Sequence, residues 1–192
     1  TGISPKDIPL DDKMTLKLFR MGRTLGVPEF SSSFVRGEIM KAAPPESFDE
    51  LIRISGLRHG TGTWTENAEI LIQKKGKRLS EVISCRDDVM LTLLKHGYDR
   101  ENAYRISERV RKGIQLSNDD IREMRRRKIP KWFVKSCNKI LYSWPRAHAA
   151  AYVLSAYRIA YYKAHDPLAF YCAYFAANVN VFDAEFLTNS LS

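Results

Sequence analysis

Apolar residues recur along this chain at helical rather than alternating spacing, and the breaks between them carry capping chemistry. Ser47 followed by Glu50, ahead of Leu51, Ile52 and Ile54, is a capping box, and Gly56 supplies a stop. Arg86 to His96 reads as a second helix ended by Gly97. Asp99 caps a third, in which Ala103, Ile106 and Val110 line one side and Gly113 closes the run. Ser117 with Asp120 opens a helix running to Lys128, where Pro130 forbids simple continuation. Pro130 then suits the first turn of a helix with Phe133, Cys137, Ile140 and Leu141 inward; Pro145 does the same for a long helix that Pro167 follows. Leu168 to Ala177 makes one more. Upstream, Asp11 or Asp12 caps a short helix through Phe19, "SSSFVRG" is loop or short helix, and "HGTGTWTEN" is a turn-rich loop. With no repeat and no run of alternating strands, the pattern predicts an all-α fold with short connections. Its expected divisions are an irregular entry segment at 1–46, a helical domain at 47–177 and a tail at 178–192.

Charge changes this picture more than bulk composition does. A chain of 192 residues with 44% hydrophobic content can form a real core. Between Arg100 and Arg146 stand 14 Lys and Arg against 5 Asp and Glu, a surplus equal to the whole net charge of +9. One segment carries the excess, which points to a polyanion partner, since cations that neutralise phosphates release condensed counterions. The bland alternative is a solvated basic surface. The longest mostly apolar run, Ala149 to Tyr162, contains Arg158 and is too short to cross a bilayer, and the N-terminus shows no export pattern, so a cytoplasmic location is expected. Cys85, Cys137 and Cys172 are widely spaced and odd in number, which predicts reduced core thiols. Without CxxC or HxxxH, and with histidines at 59, 96, 148 and 165, no structural zinc site is expected.

The long helix has two unlike faces. Ala149, Ala150, Val153, Tyr157, Ala160 and Ala164 share one, suited to close packing, while His148, Tyr152, Ser155 and Ile159 share the other. Arg146 and His148 sit near its N-terminus, where free N–H groups and the dipole favour an anion. From spacing alone, a hydrogen-bonded histidine beside a partly buried tyrosine is the better explanation. Arg105, Arg109 and Lys112 make a basic stripe with Arg111 to one side; Glu108 is the single acid between Arg105 and Lys112, so most of these charges lack an i,i+4 partner. Arg125, Arg126, Arg127 and Lys128 lie at a helix C-terminus, as dipole complement or as phosphate contacts. "ISGLRHGTGTW" places Arg58 and His59 before Gly60 and Gly62, a turn where backbone could approach an anion, though it is neither a Walker A nor a dinucleotide fingerprint. The acid pairs Asp11-Asp12, Asp87-Asp88 and Asp119-Asp120 fall near predicted helix starts, which favours dipole complementarity over metal binding. No nucleophile–base arrangement stands out, so no catalytic residue and no metal ligand is assigned.

The ordered blocks "TLGVPEF", "FVRG", "SFDELIRISGLRHGT", "LSEVISCRDDVM", "VRKG" and "RAHAAAYVLSAYRIAYYKAH" resemble the fingers region of PolC-type replicative DNA polymerases of low-GC Gram-positive bacteria, C-family polymerase III alpha subunits. The resemblance covers nearly the whole chain. It implies an excerpt of a longer polypeptide whose palm, with catalytic aspartates and Mg²⁺, lies upstream. It also implies dNTP and primer-template DNA as partners, the palm as a neighbour, and a sliding clamp and replisome proteins reached through other regions, at the nucleoid. His148 and Tyr152 would line the nucleotide pocket, with Trp144 and Arg146 just before them. Arg111 and Lys112 of VRKG, and Arg105 one to two turns earlier, would meet triphosphate or DNA backbone; Arg86, Arg58 and His59 are further pocket residues. Arg109 and Arg125 to Lys128 join the expected DNA-contacting set. The chain departs from the family where Trp144-Pro145-Arg146 replaces a common Phe-Pro-Lys, and where Arg58-His59-Gly60-Thr61-Gly62 replaces Ser-His-Gly-Thr-Asp. It is also shorter than its relatives between Phe19 and Thr24.

Two other classes compete with a polymerase module. A stand-alone helical nucleic-acid-binding regulator would use the Arg100 to Arg146 segment and show sequence preference without nucleotide dependence. A small His/Tyr phosphotransferase or nuclease would turn over nucleic acid with no further domain.

Overall fold

The structure, a computed structural model, describes residues 2–178. Apart from Asn178, the expected tail lies outside them. Among the described residues ten α-helices follow one another: α1 Lys13–Arg20, α2 Met40–Ala42, α3 Phe48–His59, α4 Glu69–Gln73, α5 Arg86–Lys95, α6 Arg100–Arg111, α7 Asn118–Arg126, α8 Lys131–Lys139, α9 Arg146–His165 and α10 Pro167–Ala177. No strand forms among the described residues; Thr61 and Tyr142 make an isolated antiparallel bridge. The fold is all-α, as the hydrophobic pattern predicts.

The chain divides into two compact units, Thr1–Leu51 with Ala151–Ser192, and Ile52–Ala150. In the first, Asp12 caps α1 by accepting from the Thr15 amide at 2.8 Å. Phe19 of α1 meets Phe30 edge-on at 5.0 Å and stacks on Tyr157 of α9 at 6.0 Å, while Phe48 meets Tyr157 edge-on at 5.5 Å. Such rings supply large buried area and a further ~1 kcal/mol per well-placed pair. Lys163, buried nearby, donates to the Leu25 carbonyl at 2.6 Å; burial, reinforced by Arg36, lowers its pKa to about 8.

The second unit is built on α5 to α8, whose inward residues Val89, Leu93, Ala103, Ile106, Val110, Met124, Phe133 and Cys137 form one core with Ile83 and Ile140. The expected caps are in place. The Asp99 carboxylate accepts from the Asn102 amide at 2.9 Å, and Ser117 and Asp120 close a reciprocal capping box.

Four details correct the sequence pattern. Gly56 does not stop α3, which runs on to His59; a Cβ at Gly56 would come within 2.6 Å of Cys85 Sγ and of the Ser84 carbonyl, so glycine serves close packing there. Leu141 is 58% exposed rather than inward, because α8 ends at Lys139 and the chain turns extended. Cys172 is exposed, whereas Cys85 and Cys137 are buried. Finally, α7 stops at Arg126, two residues early, as Lys128 takes the left-handed conformation at φ 57°.

Candidate nucleotide site

The extended segment between α8 and α9 gathers three distant stretches of the second unit. Thr61 donates its amide to the Tyr142 carbonyl at 2.9 Å and accepts from the amides of Leu141 and Tyr142 at 2.9 and 3.2 Å. On its other flank the Ser143 amide donates to the Arg111 carbonyl at 3.2 Å, and the Trp144 carbonyl accepts from the Arg86 amide at 3.0 Å. Two glycines make this threading feasible. Gly62 and Gly113 both have positive φ, and a Cβ on either would overlap a backbone carbonyl, of Lys139 and Leu141 respectively. The glycine of "VRKG" is therefore a close-approach residue as well as a helix terminator.

Threading of this kind brings Arg58, His59, Arg86, Arg111, Trp144, Arg146 and His148 into one connected set. His59 stacks on Trp144 with centroids 4.2 Å apart and planes 6° from parallel, and His148 meets the same indole at 4.4 Å and 71°. Arg58 Nη1 lies 2.7 Å from His59 Nε2, and since a guanidinium can only donate, Nε2 is the accepting atom of that contact.

Carboxylates organise the arginines. Arg86 donates from Nη1 to Glu108 and from Nη2 to Asp87, each at 3.2 Å, and Arg111 Nε donates to both Glu108 oxygens at 3.0 and 3.1 Å. The second Asp87 oxygen accepts from the Arg146 backbone amide at 2.7 Å. Asp88 accepts from Ser84 and Cys85 at the start of α5, pairs with Arg53 at 3.1 Å, and lies 3.9 Å from Arg146 Nη1. Burial opposes charge on both Glu108 and Arg86, yet the bonds win. Arg111 and Arg86 hold the Glu108 pKa below the usual carboxylate range, and Glu108 and Asp87 hold the Arg86 pKa above the ordinary value. The Cys85 thiol is pushed up to about 12, by burial first and then by Asp88, so it is no nucleophile at neutral pH.

His148 is exposed at the start of α9, and Tyr152, one turn later on that helix, is 47% exposed. The opposite face of α9 is closed: Ala149, Val153, Ala156, Tyr157 and Ala160 are fully buried. The two-faced helix is thus as the spacing predicts. At its N-terminus one amide, that of Arg146, is already received by Asp87.

The family model described as the bacterial DNA polymerase III alpha subunit finger domain matches residues 1–131 of the chain. The chain belongs to that family. Relatives named DNA polymerase III PolC-type include those of Thermotoga maritima, 47% identical over 95% of this chain, and of Listeria monocytogenes, 44% identical over 98%. The relative from Caldanaerobacter subterraneus is 44% identical over 96%. The chain spans 14% of the length of each. The match to the Streptococcus sanguinis relative extends over 211 positions for a chain of 192, so relatives carry residues this one lacks.

Within this finger domain the stripe and run predicted from sequence are less free than expected. Arg105 pairs with Asp120 at 2.9 Å, and Arg109 lies 3.9 Å from it and donates to the Gln115 carbonyl at 2.8 Å. Arg126 and Arg127 both donate to Glu123; Arg127 also reaches the carbonyls of His96 and Gly97 and covers the Tyr98 ring at 4.5 Å. The missing partners stand on the following helix or three to four residues back, which a test for i,i+4 acids inside α6 alone overlooks. Lys112, Arg125 and Lys128 are exposed, and their side chains meet no acceptor among the described residues.

The sequence pattern missed Asp87, Glu108, Asp88 and Arg53 as site residues. The available signal for Glu108 was its isolation among cations, three residues before Arg111. One acid of each pair accepts from a backbone amide at a helix start: Asp12 at α1, Asp88 at α5 and Asp120 at α7. Among the described residues no three His, Cys, Asp or Glu are grouped to hold a metal ion, and no helix is long and apolar enough to cross a membrane.

Proposed function

We propose that this chain is the nucleotide-binding finger module of a DNA-directed DNA polymerase. The observation that carries this reading is the convergence of Arg58, His59, Arg86, Arg111, Trp144, Arg146 and His148 in one unit from stretches up to 90 residues apart in sequence. Guanidinium groups meet phosphate oxygens in bidentate fashion and offset charge on the phosphoryl group in transit and on the departing pyrophosphate. His148 and Tyr152 offer a ring nitrogen and a phenol to the incoming dNTP. Lys112, the neighbour of Arg111, adds an exposed cation.

Primer-template DNA is contacted in this proposal by Arg125 and Lys128, with Arg105, Arg109, Arg126 and Arg127 contributing less because their charge is shared with Asp120 and Glu123. Two of the acid pairs are already committed to cations, which argues against a divalent ion there: Asp87 and Asp88 hold Arg86 and Arg53, and Asp119 and Asp120 hold Arg122 and Arg105. The catalytic aspartates and their Mg²⁺ are assigned to a palm elsewhere in the same polypeptide, and clamp and replisome contacts to other regions. Such a polymerase would act in the cytoplasm, at the nucleoid.

The test is substitution of His148 or Tyr152 by alanine in the full-length polymerase. Nucleotide KM rises while primer-template affinity holds; unchanged nucleotide kinetics in both variants would remove them from the site. Metal-dependent primer extension by this chain alone, free of contaminating polymerase, would contradict the assignment of chemistry to another domain.

A further inference from the structure

Resting on the nucleotide-binding reading, we propose that Glu108, acting with Asp87, is a positioning residue that holds Arg86 and Arg111 as one two-guanidinium unit for the triphosphate. A lone arginine loses most of its side-chain rotamer freedom when it is fixed. Glu108 removes that freedom in advance. Its carboxylate lies between Arg86 of α5 and Arg111 of its own helix, with side-chain exposures of 18, 22 and 22%. Asp87 ties the other end of Arg86 to the first amide of α9, so two carboxylates fix a chain from Arg111 through Arg86 to Arg146.

The bonding leaves the right atoms for a ligand. Arg111 engages Glu108 through Nε, and among the described residues its two terminal nitrogens meet no acceptor. Neither is a buried atom lacking a partner, so both reach solvent. That is the half of a guanidinium that forms paired bonds with a phosphate. Neither carboxylate is a catalytic residue; each acts through an arginine.

Two physical pictures differ here in sign. If Glu108 merely dilutes positive charge, Glu108→Gln raises the local potential and tightens triphosphate binding. If it positions, the same change frees Arg111 and one end of Arg86 and weakens binding.

The experiment compares dNTP KM, kcat and primer-template Kd for E108Q, D87N and R111A in the full-length polymerase. E108Q is expected to raise dNTP KM about tenfold, with primer-template Kd within twofold. D87N, which frees the other end of Arg86, moves KM the same way and serves if E108Q folds poorly. A variant that only folds less well loses active enzyme, which lowers apparent kcat and leaves KM in place. KM unchanged or lowered in both carboxylate variants overturns the proposal. R111A separates the two levels: if R111A raises KM and the carboxylate variants do not, positioning alone fails. If R111A leaves KM unchanged, the nucleotide-site reading fails with it.

Discussion

Two carboxylates one helix apart each grip a pair of arginines, and they do different work. Glu108 on α6 holds Arg111 of its own helix and Arg86 of α5, a partner 22 residues away. Glu123 on α7 holds Arg126 and Arg127, three and four residues along the same helix. The bonds Glu123 makes are local, so they form wherever that helix forms and support the helix end; Arg127 is held in addition by the His96 and Gly97 carbonyls and the Tyr98 ring, which leaves Arg126 as the solvated member. The Glu108 group exists only when α5 and α6 are packed, which ties the geometry of its arginines to the core. Equal densities of arginine in a sequence can therefore mean a cluster tied to the core in one place and a pair at a helix terminus in another.

The largest break in that comparison comes from the threading, not from the charges. Gly113→Ala places a Cβ against the Leu141 carbonyl in a left-handed backbone, a conformation that alone costs on the order of 1–3 kcal/mol for a non-glycine residue. The overlap adds to it. Denaturant titration of the full-length protein should show that loss, and dNTP KM should rise with it, because Arg111 and Trp144 are held by the same segment. Gly76→Ala is the control: it also has positive φ, but nothing lies within 4 Å of its added Cβ, so it bears the backbone cost without the overlap. Equal stability loss in the two variants would show that the close approach at Gly113 carries no weight.

Next in size is the arginine contrast itself. Arg111→Ala should raise dNTP KM at least tenfold, as expected for removing a charge-assisted contact to phosphate, while Arg126→Ala should leave it within twofold. If Arg126→Ala moves KM as much as Arg111→Ala, the pocket is drawn in the wrong place.

How much of this was legible beforehand follows the range of the interaction. Caps, glycine stops and the two faces of α9 are local, and Asp12, Asp99, Ser117, Ala149 and Tyr157 could be placed from spacing alone. The blocks that carry Arg58, Arg86, Arg111 and Arg146 were visible as family resemblance, but nothing local says that residues 141–144 bring them together. Gly56 was misread because a glycine that ends a helix and one that lets a helix approach its neighbour look alike in sequence. The pairing of Arg105 with Asp120 was missed for the same reason, since it crosses from α6 to α7. The tertiary contacts that escaped the pattern are the ones that build the site.

A smaller effect tests the DNA side. Arg125 and Lys128 are exposed without an acceptor among the described residues, so the double substitution R125A/K128A should weaken primer-template binding uniformly across sequences. The slope of log K against log salt should fall by about 2, near one per phosphate contact. Arg126→Ala, whose charge already sits on Glu123, should change that slope by less than about 0.5. A full unit lost on Arg126→Ala would mean that the ion pair opens to meet DNA and that the local group is not a closed one.

The smallest effect concerns acid, and it separates the two carboxylates once more. Arg126 and Arg127 hold the Glu123 pKa down at about 2 from an ordinary 4.5. A carboxyl depressed in the folded state contributes stability that is present above its unfolded value and is lost as pH falls towards the folded value. The difference in thermal midpoint between the parent and Glu123→Gln should therefore be constant above about pH 5 and shrink between 4.5 and 2. It should also be small throughout, because the group is open to solvent and screened by salt. Glu108→Gln should follow the same sign of pH dependence, since its carboxyl is lowered too, but resist 0.5 M salt better, its pairs being partly buried. If salt erases both differences equally, the two arginine pairs are electrostatically alike, and what distinguishes them is geometry alone.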